Sequence, residues 1–326
     1  YKWICLLFLA SLVNGQTANT LYVLTSQYPN SGPSSLNLVA VDVMNNSSSV
    51  VMPLPLSSGV TLIGTAFNQA QQIYYVVYNH QSSISQSFIT AIDVTEKKLV
   101  LNGYKFTEKQ CVWDVDIDSS GNIHFLRKSS PVSHNQQYIV DYCTFNPTSK
   151  EVTEIVHSAT MVAPYGTTAY VEEYRELIIA TISNTATIGA KGHTTSFPLG
   201  SNVEEQRYIE WNNKTDTGYL LQSDQTSFQP VIVLYQKLTN EYTTVCTLNL
   251  GTGNDLGFTA LLHNVAASSI DPTNNFYVIA VNDASIPGST YGSVIITVDL
   301  NSCTQYVASF DPSYLASIGG PEFSYQ

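Results

Sequence analysis

Three carboxylates stand two residues apart in Asp114-Val115-Asp116-Ile117-Asp118. In an extended strand that spacing brings all three to one face, where hard oxygen donors could share a cation such as calcium. The same residues fit a plainer arrangement. Val115 and Ile117 would pack between sheets, Asp118 would cap a turn toward Gly121, and Asp114 and Asp116 would lie beside a polar channel. An EF-hand loop is excluded, because the sixth and twelfth positions counted from Asp114 are Ser119 and Phe125, where Gly and Glu are required.

Other chemistry finds little footing. The six histidines form no HxH or HExxH spacing, and His124, inside a strongly apolar run, reads as a core histidine bonded to a main-chain carbonyl. A GxSxG nucleophile elbow is missing. Gly251-Thr252-Gly253-Asn254 follows a strand without opening a helix, so it is no phosphate cradle. Glu172-Glu173 and Glu204-Glu205 are adjacent pairs whose members point to opposite sides of a strand, which rules out joint acid and base work. Tyrosine is abundant, at 21 residues. Tyr165, Tyr170, Tyr174, Trp211 and Tyr291 read as lying in or beside loops, where they could stack on sugar rings or form a protein-binding patch.

The elements that must position these residues repeat. Apolar strands end at Val43, Val94, Phe145, Phe197, Leu238 and Leu300, separated by 51, 51, 52, 41 and 62 residues. A period near 50 is that of a propeller blade. Within each unit come a short strand, a turn, a very apolar strand, a variable loop, the anchor strand and a final strand, which predicts four antiparallel strands per blade. Ile73-Tyr74-Tyr75-Val76 and Phe276-Tyr277-Val278-Ile279 are apolar on both faces, as a strand sandwiched between neighbouring sheets must be. The long fifth interval predicts an insertion over Leu250 to His263, before the sixth unit. The first unit has no inner strand before Leu21, while Glu322-Phe323-Ser324-Tyr325 reads as an inner strand with nothing after it. Pairing of these two segments predicts an all-β, six-bladed β-propeller whose ring is closed by the N- and C-terminal parts of the chain.

Through Ile117-Asp118-Ser119-Ser120-Gly121-Asn122-Ile123 and Ser269-Ile270-Asp271-Pro272-Thr273-Asn274-Asn275-Phe276-Tyr277 the chain resembles two propeller groups. These are the six-bladed gluconolactonase, low-density-lipoprotein-receptor and NHL-repeat propellers, and the secreted quinoprotein-like and surface-layer propellers. The lactonase resemblance implies a channel-mouth metal held by a Glu, an Asn and an Asp from different blades. Here it would direct attention to Glu322, with Asn264 and Asp271 as companions. It also implies calcium-dependent hydrolysis of a lactone or ester, although propellers host many functions and the fold does not select among them.

Lys2 before the apolar run Trp3 to Val13 reads as an export signal cut after Gly15, leaving residues 16–326 as one propeller domain. Removal of Cys5 leaves Cys111, Cys143, Cys246 and Cys303, which allow three pairings among which spacing does not choose. Sequons at Asn45, Asn46 and Asn213 fit a secretory route. A net charge of −12, with only 12% charged residues, disfavours nucleic acid and anionic membranes as partners. No segment is apolar for long enough to insert in a bilayer. The expected protein is a secreted, extracellular monomer without a cofactor other than calcium. It would act as a binding or scaffold module for a protein or glycan, with a lactonase or a lectin as the alternatives. If calcium is held by the Asp114 trio, the melting temperature in calcium should exceed that in EDTA; equal melts would remove the ion from the picture.

Overall fold

The computed structural model describes residues 20–27, 35–42, 47–56, 60–80, 83–105, 111–132, 137–162, 166–181, 184–189, 194–198, 203–213, 215–224, 229–239, 241–248, 265–271, 276–284, 292–309 and 318–324. Among them, strands form six four-stranded antiparallel sheets. The first blade comprises β1 (Thr20–Gln27), β2 (Ser35–Asp42) and β3 (Ser47–Leu54); the second, β4 (Val60–Asn68), β5 (Ile73–His80), β6 (Ser83–Asp93) and β7 (Lys98–Lys105). The third holds β8 (Cys111–Ile117), β9 (Ile123–Val132), β10 (Gln137–Asn146) and β11 (Glu151–Val162); the fourth, β12 (Gly166–Val171), β13 (Glu176–Thr181), β14 (Asn184–Gly189) and β15 (Thr194–Pro198). The fifth holds β16 (Val203–Asn212), β17 (Thr217–Asp224), β18 (Pro230–Gln236) and β19 (Glu241–Thr247); the sixth, β20 (Val265–Asp271), β21 (Phe276–Ala284), β22 (Gly292–Asp299) and β23 (Gln305–Ser309). The last strand, β24 (Ile318–Ser324), pairs antiparallel with β1 and becomes the innermost strand of the first blade. The chain is a six-bladed β-propeller closed as its sequence predicts.

Burial follows position within the blade. Tyr74 to Asn79 of β5 are buried without interruption, whereas the outermost β7 alternates between exposed and half-buried residues. A second strand lies between two neighbouring sheets, and an edge strand has solvent on one side. Six apolar clusters accordingly fill the six junctions. Tyr22 and Leu24 pack with Tyr74 and Val76, Tyr75 and Val77 with Ile123 and Phe125, and Tyr142 with Leu177 and Ile179. Val171 packs with Leu220, and Leu221 with Tyr277 and Ile279. Val278 and Ala280 close the circle on Leu21 and Val23. Each of the Val, Leu, Ile and Phe side chains among them contributes about 1.5–3 kcal/mol by leaving water.

Two anchors fall elsewhere than expected. Phe197 lies on the outermost strand β15, paired with Thr185, because the third strand of that blade is the short β14. Leu238 sits in the turn after β18 and is 80% exposed. The suggested insertion at Leu250 to His263 lies outside the described residues. Cys246 of β19 is bonded to Cys303, in the turn after β22, with Cα atoms 5.4 Å apart, so the disulfide staples the fifth blade to the sixth. Closing a loop of 57 residues removes roughly 4 kcal/mol of unfolded-chain entropy in the loop-closure account. Cys143 is a buried free thiol on β10, pushed up to about 12 by burial. The side chain of Cys111 is outside the described set.

An up-and-down meander puts the first-to-second and third-to-fourth turns at one end of the ring and all other connections at the opposite end. At the first end the turns share a chemistry. Asn68, Asp93, Asp118, Asn146, Asn212 and Asp299 each accept at least one main-chain N–H from residues two to four further on, the Asx turn in which a side chain stands in for backbone. Gln72, Lys97, Lys150, Arg175, Asp216 and Cys303 close turns there in the left-handed region. Gly121, at φ 85°, does the same where a Cβ would lie 2.5 Å from Asn68 Nδ2. No helix among the described residues is long and apolar enough to cross a membrane.

Deleting Pro321 to Gln326 should lower the melting temperature by about 5 °C or more, since the inner edge of β1 loses its partner. An unchanged melt would contradict closure through this strand.

Candidate functional site

The carboxylate trio sits where the third blade meets the fourth. Because β8 alternates, Val115 and Ile117 join the cluster shared with the second blade, and Asp114 and Asp116 face the fourth. Asp114 Oδ1 accepts the N–H of Val115 at 2.9 Å, and Oδ2 accepts the N–H of Thr168 at 2.7 Å. Asp116 repeats the arrangement one step on, accepting from Ile117 at 2.7 Å and Tyr170 at 2.5 Å. Strand β12 is innermost in its sheet, so one edge of its backbone has no strand partner. The two aspartates supply acceptors to that edge. Gly64 of β4 makes room behind, since a Cβ there would lie 2.9 Å from Asp114 Oδ1.

Asp118 is spent differently. It heads the β8–β9 turn, accepting from the main chain and side chain of Asn122 at 2.7 and 2.9 Å. His124 Nε2 lies 3.1 Å from Oδ2, the oxygen that also accepts from the Asn122 side chain, while His124 Nδ1 is 2.7 Å from the Tyr142 hydroxyl. A proton on Nε2 leaves Nδ1 to accept from Tyr142. The buried imidazole is therefore held by a carboxylate and a phenol rather than by the carbonyl its sequence setting suggests. Its ring stacks on Tyr170 of β12 at 3.7 Å between centroids, with planes 14° apart. No group of three or more His, Cys, Asp or Glu side chains among the described residues is placed to share a metal ion.

Two opposite environments act within this trio. Desolvation pushes Asp114 up to about 7 and Asp116 up to about 6, against the pull of their main-chain donors. Burial would also raise Asp118, but hydrogen bonds from His124 and Asn122 outweigh it and hold that carboxyl at about 2.

The clasp between blades recurs. Glu210, two residues before the turn residue Asn212 as Asp116 is two before Asp118, accepts from Ser268 Oγ of the sixth blade at 2.5 Å. The Tyr277 hydroxyl donates to the carbonyl of Tyr208, whose φ is 57°, at 2.7 Å across the same junction. Lys237 pairs with Glu176 and lies 3.9 Å above the Tyr174 ring, joining the fourth and fifth blades.

Two of the aromatics read as lying in or beside loops are buried strand residues beside turns. Tyr170 is a buried β12 residue under His124, and Trp211 is buried on β16 against Gly218 and Tyr235. Each adjoins a turn in sequence but is the last inward position of a stacked strand, which sequence proximity to a turn conceals. Tyr165, Tyr291, Asn45, Asn46, Asn264 and the export segment 1–15 lie outside the described residues. Glu322 pairs in register with Tyr22, and Asp271 is fully buried at the end of β20. Asn213 is exposed; it accepts from Glu172 N–H and donates to the Tyr170 carbonyl. At the end of the long connections, Tyr78, His80 and Phe88 form an aromatic group with centroids 4.8 to 5.8 Å apart, His80 and Phe88 half-buried. Their signal was the facing of two aromatic strand ends across a hairpin.

No protein-family model and no curated protein matches the chain. Solved structures do. TolB from Acinetobacter baumannii superposes with a TM-score of 0.62 at 10% identity, covering 98% of this chain and 70% of that one. A protein of unknown function from Bacteroides caccae gives 0.58 at 12% identity over 95% and 100%. The periplasmic gluconolactonase PpgL of Pseudomonas aeruginosa gives 0.55 at 11% identity over 93% and 99%. At such identities the likeness shows the propeller fold alone.

Unfolded aspartates ionise near pH 4. Between about pH 4 and the raised values of Asp114 and Asp116 the folded chain thus holds more protons than the unfolded one, and this contribution to stability falls as pH rises. The melting temperature of Asp114→Asn should therefore decline less than that of wild type between about pH 5 and about pH 8. Asp118 has the opposite sign: its contribution is present above about pH 4 and lost as pH falls toward about 2. A wild-type slope in Asp114→Asn would refute the buried-carboxyl account.

Proposed function

We propose that the chain is an exported, glycosylated propeller that binds an extracellular protein or glycan through the end of the ring from which its long connections leave. The observation that carries this reading is the difference between the two ends. One is sealed by short turns whose side chains accept their own main-chain N–H groups. The other carries the stretches between Gln27 and Ser35, Thr247 and Val265, Ala284 and Gly292, and Ser309 and Ile318. Sequence that varies in length on a fixed scaffold is where recognition is usually built. His80 and Phe88, half-buried and backed by the buried Tyr78, stand at this end and offer flat rings of the kind that stack on sugars or on protein side chains. Export is supported by the Cys246–Cys303 disulfide, which persists in oxidising compartments.

A bulky glycan placed at each end tests the reading. Gly288→Asn creates a sequon in a long connection, and Glu96→Asn with Lys98→Thr creates one in a short turn. Binding to a glycan array, or to a panel of extracellular proteins, should be lost in the first variant and retained in the second. Loss only in the second would place recognition at the wrong end. Turnover of gluconolactone by the purified wild type would replace binding with the lactonase alternative. Within the binding reading, His80→Ala with Phe88→Ala should weaken affinity about tenfold or more, measured by titration, without shifting the melting temperature by more than about 5 °C.

A further inference from the structure

We infer that β24 is an exchangeable closing strand, and that the groove it fills along β1 can be occupied by Ile318–Ser324 of a second copy of this chain. Each of β4, β8, β12, β16 and β20 precedes its pairing partner directly in the chain. In contrast, β24 and β1 are neighbours in space from opposite ends of the numbered sequence. Their association is the most non-local contact in the ring, so closing it costs loop entropy that no other inner strand meets.

The pairing itself is modest. Thr20, Leu21 and Tyr22 face Ser324, Phe323 and Glu322, and Leu24 and Thr25 face Gly319 and Ile318, with a register shift between the two groups. Gly320 and Pro321 fall at that shift. Proline brings no N–H to a ladder, and glycine brings no side chain to pack. Four of the other inner strands also slip register against their partners, at Leu62/Gly64, Val112/Asp114, Arg207/Ile209 and Val265/Ala267. None of those slips carries a Gly-Gly-Pro run.

The groove, once vacated, must be refilled. Leu21, Val23 and Leu24 of β1 are at most 1% exposed. Departure of β24 would bare the edge of a strand whose side chains are built into two junctions, and such an edge accepts an added strand. The segment that meets the shifted register is the one already there, and a second copy carries it unchanged, which is the condition for swapping an identical element. Eight residues separate Ser309 from Ile318, which bounds the reach of the exchanged strand at roughly 26–29 Å. Intramolecular closure competes at an effective concentration of the order of millimolar, so the self-closed ring dominates at low concentration and exchanged copies accumulate in concentrated solution.

Full-length single variants test this by covalent trapping. Thr20→Cys and Ser324→Cys are mixed at high concentration under mild oxidation, and Thr20→Cys is mixed in parallel with Thr95→Cys, an exposed turn position at the short-turn end. The double variant Thr20→Cys with Ser324→Cys in one chain verifies that the paired positions can bond. Mass spectrometry should find the bond between positions 20 and 324 of different chains, about tenfold more abundant than that between 20 and 95, and rising with concentration. Equal yields in both mixtures would mean random collision and overturn the proposal. A double variant that bonds within its own chain, beside single variants that never bond between chains, would overturn it as well.

Discussion

Everything in this ring depends on strands that are apolar on both faces. A sheet whose second and third strands bury both sides cannot end the stack, because the last sheet would present an apolar face to water. Tyr74, Phe125, Ile279 and their counterparts each belong to a junction with the neighbouring blade. Six such junctions satisfy every face only if the sixth blade meets the first, as Val278 and Ala280 do on Leu21 and Val23. Closure is thus a requirement of the core rather than a decoration of the ends.

Polar groups fill what the apolar stacking leaves open. Inner strands have one backbone edge without a strand partner, and at the third junction two aspartates provide acceptors there. Their desolvation raises both carboxyls, while the neighbouring Asp118, with three donors, is held low. Three residues of one type in five positions therefore divide between a clasp across blades and a turn cap. Glu210 shows that the clasp is a device of the scaffold, since it reaches Ser268 from the matching place two blades on.

The two ends of the propeller then diverge for topological reasons. Third-to-fourth turns join strands already paired, so four or five residues suffice and an Asn or Asp at the first position satisfies the bend. At the other end the second-to-third connections also join paired strands, with only two residues between β5 and β6 or β13 and β14, while the connections from β19 to β20 and from β23 to β24 step between blades and are longer.

Most of the fold was legible. Periodicity near 50 residues, doubly apolar second strands and the missing inner strand before Leu21 are local patterns, and they determined six blades, four strands each and the terminal pairing. Asp118 as a turn cap and Val115 and Ile117 as junction residues were equally readable, because alternation in a strand is a property of neighbouring residues. Where a blade departs from the average, period alone misplaces a residue: Phe197 lies on the edge strand β15, paired with Thr185, and not on the third strand of its blade. Only the tertiary structure decided that Tyr170 lies under His124, that Trp211 is buried, that Asp116 serves Tyr170, and that Cys246 pairs with Cys303. These partners lie about one blade apart along the chain. Local pattern sets which face a side chain takes, but its partner across that face is chosen by how neighbouring blades stack.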